Sequence, residues 1–285
     1  MKVTRHIHKA IALAAVLIGF PVSQALAQGV AGPYPNNGQA SEGKTSASIE
    51  WMKPSFDGGD GITFMTSATL ISGQYQVTPS IAVAARLPIT HMGFSEEGFG
   101  DSNTSLGNVY LGGRYARPMS NSQVDFGFYL PTSGGDDDLL NSNFVGFMAD
   151  YDRLEAYMMD TFGIQGLYSY AHSIQDGVRL EGSIGPSFLI YTSDVDDKTD
   201  LLAHYGVRGW YDTRVVSIGA GFSGTGILTA EDASFGERTV HQGTLYLAGN
   251  TGSIRPHGFF RLPLDEDLSE SVNYVFGLGL SVVVH

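Results

Sequence analysis

Charged residues recur along this chain two positions apart, and arginine dominates them. Arg179 and Glu181 share one phase with Ser183 and Ser187, and His204, Arg208 and Asp212 share another a few residues on. Arg255 and Arg261 flank His257 in a third stretch, while Arg86, Arg114 and Asp125 hold matching places earlier. A period of two belongs to a β-strand, whose successive side chains point to opposite faces. The set Arg86, Arg114, Asp125, Arg179, Glu181, His204, Arg208, Asp212, Arg255 and Arg261 is therefore expected on a single face of a sheet, lining a lumen, with Glu50 beside it. Arginine keeps its charge at ordinary pH and carries a fork of donors matched to carboxylates. Such a face can cross-link itself as a ladder of ion pairs, offsetting the burial of its own charges. It can equally form a charged constriction that orients or selects a permeant. Both readings stay open, since one ladder can do both.

Other constellations carry less. Gly134 to Asp138 and the run Ser193 to Asp200 gather acid in two long polar stretches, and Asp194-x-Asp196 has the beginning of a calcium loop. Lys198 takes a ligand position there and the required glycine is missing, so solvated loops are expected instead. His172 directly precedes Ser173, which raises the acyl hydrolases found among outer-membrane barrels. Adjacent strand residues face opposite ways, so this pair cannot easily make a nucleophile–base hydrogen bond. The sequence contains no Gly-x-Ser-x-Gly, no P-loop and no metal-spaced histidine cluster. No catalytic, cofactor or metal site is assigned, and the hydrolase ranks behind the non-enzymatic readings.

The elements that carry the charged face must be strands, and their opposite phase is bulky and apolar. In the closing stretch Tyr274, Phe276, Leu278, Leu280 and Val282 alternate with Val275, Gly277, Gly279, Ser281 and Val283. Val178, Leu180, Ile184, Phe188 and Ile190 oppose Arg179 and Glu181, and Leu201, Tyr205, Val207 and Tyr211 oppose His204 and Arg208. From Thr45 onward the pattern predicts strands near 45–53, 62–75, 80–90, 106–117, 122–132, 160–172, 177–192, 201–212, 214–225, 240–250, 253–264 and 272–284. Short and long connections between them tend to alternate. The segment 148–160 fits a short helix as well as a strand, with Leu154, Met158 and Thr161 on one stripe.

Two arrangements place such faces. In a soluble sandwich or lipocalin-like barrel the apolar phase points inward, whereas in an outer-membrane barrel it meets lipid and the polar phase lines the lumen. Glycine, serine and isolated arginine weaken a solvated strand face but suit a crowded barrel interior. Closure also satisfies every strand edge, as a membrane requires. The fold expected is all-β, a transmembrane up-and-down antiparallel β-barrel of about 12 strands. Tyr75, Tyr115, Tyr129, Tyr191, Tyr211 and Tyr274 are expected in its interfacial girdles.

Lys2, Arg5 and Lys9 precede an apolar run from about Ala10 to Val22 and then Ala25-Leu26-Ala27, the order of a signal peptide cleaved before Gln28. The expected organisation is a signal peptide over 1–27, a flexible leader over 28–44 and a barrel over 45–285. With 29 acidic against 16 basic residues the formal net charge is −13, and loss of the signal peptide removes bases only. That sign repels nucleic acid and argues against a polybasic membrane anchor. The absence of cysteine excludes disulfides and a lipidated N-terminal cysteine, despite export. Outer-membrane barrels commonly end on an aromatic residue in the lipid-facing phase, and His285 falls on the other phase.

Three phrases, "LGNVYLGGRYARP" (106–118), "VDFGFYLPTSGGDDD" (124–138) and "IRPHGFFRLPLDEDLSESVNYVFGLGLSV" (254–282), resemble putative outer-membrane transporters of the MetA-pathway of phenol degradation family. The likeness differs at Asn108, where that family often has Asp, and at Ser133, inserted into a Thr-Gly pair. The resemblance implies a barrel of this size and uptake of small, often aromatic or hydrophobic, compounds. The expected function is a passive channel or transporter, with a structural or surface-interaction barrel of filled lumen as the alternative. Expected partners are outer-membrane lipids, a small-molecule permeant and the barrel-assembly machinery; the chain is expected to be a monomer in the bacterial outer membrane that binds no nucleic acid and needs no cofactor.

Overall fold

A computed structural model describes residues 45–56, 62–96, 99–116, 121–133, 142–192, 199–229, 238–249 and 252–284. The expected signal peptide and leader, the acidic runs at 134–138 and 193–198, and His285 lie outside these residues. The strands are β1 (Thr45–Phe56), β2 (Ile62–Thr78), β3 (Ile81–Glu96), β4 (Phe99–Leu106), β5 (Val109–Ala116), β6 (Ser122–Leu130), β7 (Thr161–Gln175), β8 (Val178–Tyr191), β9 (Thr199–Asp212), β10 (Val216–Ile227), β11 (Thr239–Gly249), β12 (Ile254–Pro263) and β13 (Val272–Val284). Each strand runs antiparallel to its sheet neighbours, and β1 meets β13, with Thr45 opposite Val284, so the sheet closes on itself. β4 and β5 share one place in the wall, because β3 pairs β5 through Ile81–Arg86 and β4 through Ile89–Glu96. The result is a closed antiparallel barrel of 12 strands.

The break between β4 and β5 has a local cause. Pro88 of β3 has no N–H to give the ladder, and the Gly107 N–H donates to its carbonyl at 3.0 Å instead. Beyond that point the polar stretch 91–104, read from sequence as a connection, continues β3 and β4 as a hairpin with Glu96 opposite Phe99. Its residues do not alternate apolar with polar, which hid the strands from a reading based on that pattern. Conversely, 148–160 contributes no strand before Thr161: helix α1 covers Ser142–Ala149 and a 3₁₀ turn covers Tyr151–Ala156. No helix among the described residues is long and apolar enough to cross a membrane.

The bulky phase faces out, as Ile184 at 63% and Leu245 at 60% exposure show, and the charged or small phase faces in, where Arg261 is 1% exposed. A soluble barrel would show the reverse. Tyr75, Tyr115, Tyr211 and Tyr274 are exposed as a girdle needs, whereas Tyr191, half-buried at the end of β8, shares the inward phase of Ser187 and Leu189 and its hydroxyl lies 2.6 Å from Asp200. Tyr129 departs from that expectation further. It is buried at 1% exposure, because it shares the inward phase of Asp125 and Gly127.

Glycine on the inner face has a packing reason. The Phe259 ring of β12 lies flat over Gly277 of β13, and a methyl added at Gly277 would collide with it. The Tyr110 ring covers Gly112 and Gly127 in the same way, and the Trp210 ring sits 2.6 Å from where a Gly219 Cβ would stand. The small phase thus forms seats for the few large rings that point inward.

Candidate functional site

All ten charged residues expected on one face are buried inside the barrel except Asp212 and Arg255, which are half-buried. Near the end of the barrel with the short turns, Arg114 Nε donates to Asp125 Oδ1 at 2.8 Å across the β5–β6 pair. Arg179 bonds Glu181 on its own strand and Asp212 on β9 at 3.3 Å, with its guanidinium 5.3 Å from the centre of the Trp210 ring. The Trp210 indole N–H in turn donates to Glu181 at 3.0 Å. Arg86 lies 4.1 Å from the centre of the Tyr110 ring and reaches the Tyr129 hydroxyl at 3.5 Å. Arg208 faces the Tyr246 ring at 5.9 Å. In this half of the barrel Arg114 and Arg179 pair with wall carboxylates, and Arg86 and Arg208 lie over wall rings.

The other half is organised by a segment that strand periodicity does not reveal. α1 packs against β1, β2, β3 and β4, while the 3₁₀ turn packs against β7, β10 and β11. Together they cross the lumen. Their apolar side chains Met148, Ala149, Tyr151 and Leu154 form one cluster with Met52, Leu70, Phe259 and Val275 of the wall. A lower cluster joins Ala156 and Tyr157 to Tyr110 and Tyr129.

Polar groups of the same segment reach the wall at every side. Asp150, fully buried, accepts from Arg261 Nη1 at 3.1 Å and from Arg153 Nε. Arg261 Nη1 also donates to the Ala149 carbonyl at 2.8 Å. Arg153, which breaks the 3₁₀ geometry at φ −132°, ψ 44°, spans from Asp150 to Glu50 of β1 at 3.2 Å. Asp152 accepts from Gln242 of β11 at 2.6 Å. Glu155 Oε1 lies 2.6 Å from His204 Nε2 of β9. The Thr225 hydroxyl donates to the Tyr151 carbonyl at 3.2 Å, which leaves its oxygen to accept from His204 Nδ1 at 3.0 Å. His204 is thus held at both ring nitrogens, by Thr225 and Glu155.

Asn108, at the break between β4 and β5, fastens the far end of the segment. Its amide donates to the carbonyls of Glu155 at 2.8 Å and Met158 at 2.6 Å, and its Oδ1 accepts from the Ser133 N–H at 3.1 Å and hydroxyl at 2.7 Å. The Asn108 N–H donates to the Ala156 carbonyl at 2.7 Å. Thr132 completes the knot, its hydroxyl donating to the Gly107 carbonyl at 2.7 Å while accepting from the Val109 N–H at 2.9 Å.

The catalytic pair considered in the sequence has no such support. His172 stacks on Tyr170 at 6.5 Å and stands opposite Leu180, Ser173 stands opposite Arg179, and no hydrogen bond joins the two. Sequence reasoning missed a different relay on the outer wall. The Tyr205 hydroxyl lies 2.7 Å from His241 Nε2, and His241 Nδ1 lies 2.9 Å from Asp265, the last residue of the Arg-Leu-Pro-Leu-Asp phrase. No group of histidines and carboxylates suited to a metal ion occurs among the described residues.

An outward apolar band, a closed wall and a charged interior define the class as a membrane-type β-barrel. No family model matches the chain, and no curated protein does. Solved structures do. The COG4313 outer membrane channel from Pseudomonas putida F1 superposes with a TM-score of 0.61 at 11% identity, over 87% of this chain and 99% of that one. The translocator domain of the autotransporter NalP from Neisseria meningitidis gives 0.50 at 12% identity, over 98% and 95%. At these identities the likeness is one of fold.

Proposed function

We propose that this chain is a monomeric outer-membrane barrel acting as a passive channel or transporter for small molecules, with the segment 142–156 narrowing its lumen. The observation that carries the reading is the inversion of faces: apolar outside, ionised and hydrogen-bonding inside, around an axis that a foldable segment crosses. Outer-membrane lipids would contact the exposed phase, and the barrel-assembly machinery would insert it after signal-directed export. The ten charged residues would line or border the path. Small aromatic or hydrophobic permeants suit the Tyr110, Phe259 and Trp210 rings that point inward. The similarity to a solved outer membrane channel supports this reading.

One observation favours the alternative of a filled structural barrel: the segment is held at both ends and along its length by buried polar contacts. Purified protein in planar bilayers and solute-loaded liposomes separates the two. A channel gives ionic conductance and liposome swelling in small solutes. If neither the native chain nor a variant with 142–156 replaced by a short Gly-Ser linker conducts, the channel reading fails.

A further inference from the structure

We infer that the wall beneath the inward-folded segment is a binding site for small organic acids with an apolar body, and that the segment occupies it as a tethered stand-in. The inference rests on the channel reading and names its permeant class. What the segment offers the wall is a carboxylate beside an apolar surface. Asp150 sits on Arg261, and next to it Met148, Tyr151 and Leu154 cover Met52, Leu70, Phe259 and Val275. The guanidinium of Arg261 lies 4.3 Å from the centre of the Phe259 ring, so the cationic and apolar halves of the cradle are contiguous. Five residues on, Glu155 sets a second carboxylate against a wall side chain, His204. A free aromatic or short aliphatic carboxylate carries both features in one molecule.

Charge makes the same point. Six wall arginines (Arg86, Arg114, Arg179, Arg208, Arg255 and Arg261) face five wall carboxylates, Glu50, Asp125, Glu181, Asp200 and Asp212. The segment brings Asp150, Asp152 and Glu155 against Arg153 alone, a net gain of two carboxylates for the interior. When it swings aside these carboxylates leave Arg261 and His204, and a neutral permeant of the same shape would not replace the charge that Asp150 sets directly on Arg261, a loss that is unfavourable inside a barrel. An acid restores the pairing, so the site prefers anions to their neutral isosteres.

The test uses the full chain in planar bilayers, with benzoate and its neutral isostere benzamide as probes of chloride current. In the variant carrying the Gly-Ser linker in place of 142–156, the current rises, the reversal potential moves toward anions, and benzoate blocks at a concentration at least about tenfold below benzamide. Adding Arg261→Met removes that difference. Should the linker variant fail to insert, Asp150→Asn retains the segment and shows the same shifts in weaker form. A conducting variant that responds equally to both probes, or stays unselective, overturns this inference and leaves the channel reading standing. Absence of current from every variant overturns the channel reading itself.

Discussion

Asn108 shows how much one side chain can decide in a barrel interior. Its amide gives two hydrogen bonds to carbonyls of the inward segment and takes two from Ser133. Aspartate has nearly the same shape and no donors when ionised, so Asn108→Asp would set a carboxylate against two carbonyl oxygens. We expect a loss of about 3 kcal/mol, since a buried polar group facing the wrong partner costs roughly 1–3 kcal/mol and a charge more. Urea unfolding in detergent micelles, followed by tryptophan fluorescence, measures it. The sequence shows both departures from the resembling family, Asn108 and Ser133, but not that they touch. They are 25 residues apart and meet only because β5 and β6 are register partners. Arg114 and Asp125 were legible as inward-facing, each being in the polar phase of neighbouring strands, and the register then pairs them. Asp150, the partner of Arg261, was not, because it lies on a segment with no strand period at all.

At the level of elements, strands announced themselves wherever one phase was apolar, and the 12-strand wall follows from that alternation. Where the alternation lapses the sequence misleads. The hairpin arms of β3 and β4 read as loop, and α1, flanked by polar runs, reads as part of a connection. Tyr129 was legible as inward by its phase and was misplaced by its residue type, since tyrosine near a strand end also suits an interface. The glycine seats make a prediction that belongs to paired strands rather than to single residues. Gly277→Ala pushes a methyl into the Phe259 ring, and overpacking of this kind costs about 1–3 kcal/mol. Phe259→Leu opens a gap when made alone. Made together, the two changes should cost less than their separate losses added, and a double-mutant cycle on unfolding free energies reads that coupling. Strict additivity would show that the ring does not rest on the glycine.

For the whole molecule, the inversion of faces is the property on which membrane residence depends. Ile184, at the middle of β8 and 63% exposed, should meet hydrocarbon, so Ile184→Arg is expected to cost about 2–4 kcal/mol in a bilayer, as it does near the midplane of such barrels. Insertion equilibria in phospholipid vesicles test this; a change near zero would mean that the apolar band faces water. The closure of the wall has a further consequence, which concerns time. The pair that seals the barrel joins β1 to β13, the first and last strands in chain order, through 12 matched positions beginning at Thr45 and Val284. Every other strand pair can form between near neighbours, whereas this seam has the longest loop to close and so the largest entropic cost. Until it forms, the growing sheet carries two bare edges, each a template for pairing with another copy. Weakening the seam should therefore slow assembly and raise aggregation well before it lowers the stability of the finished barrel.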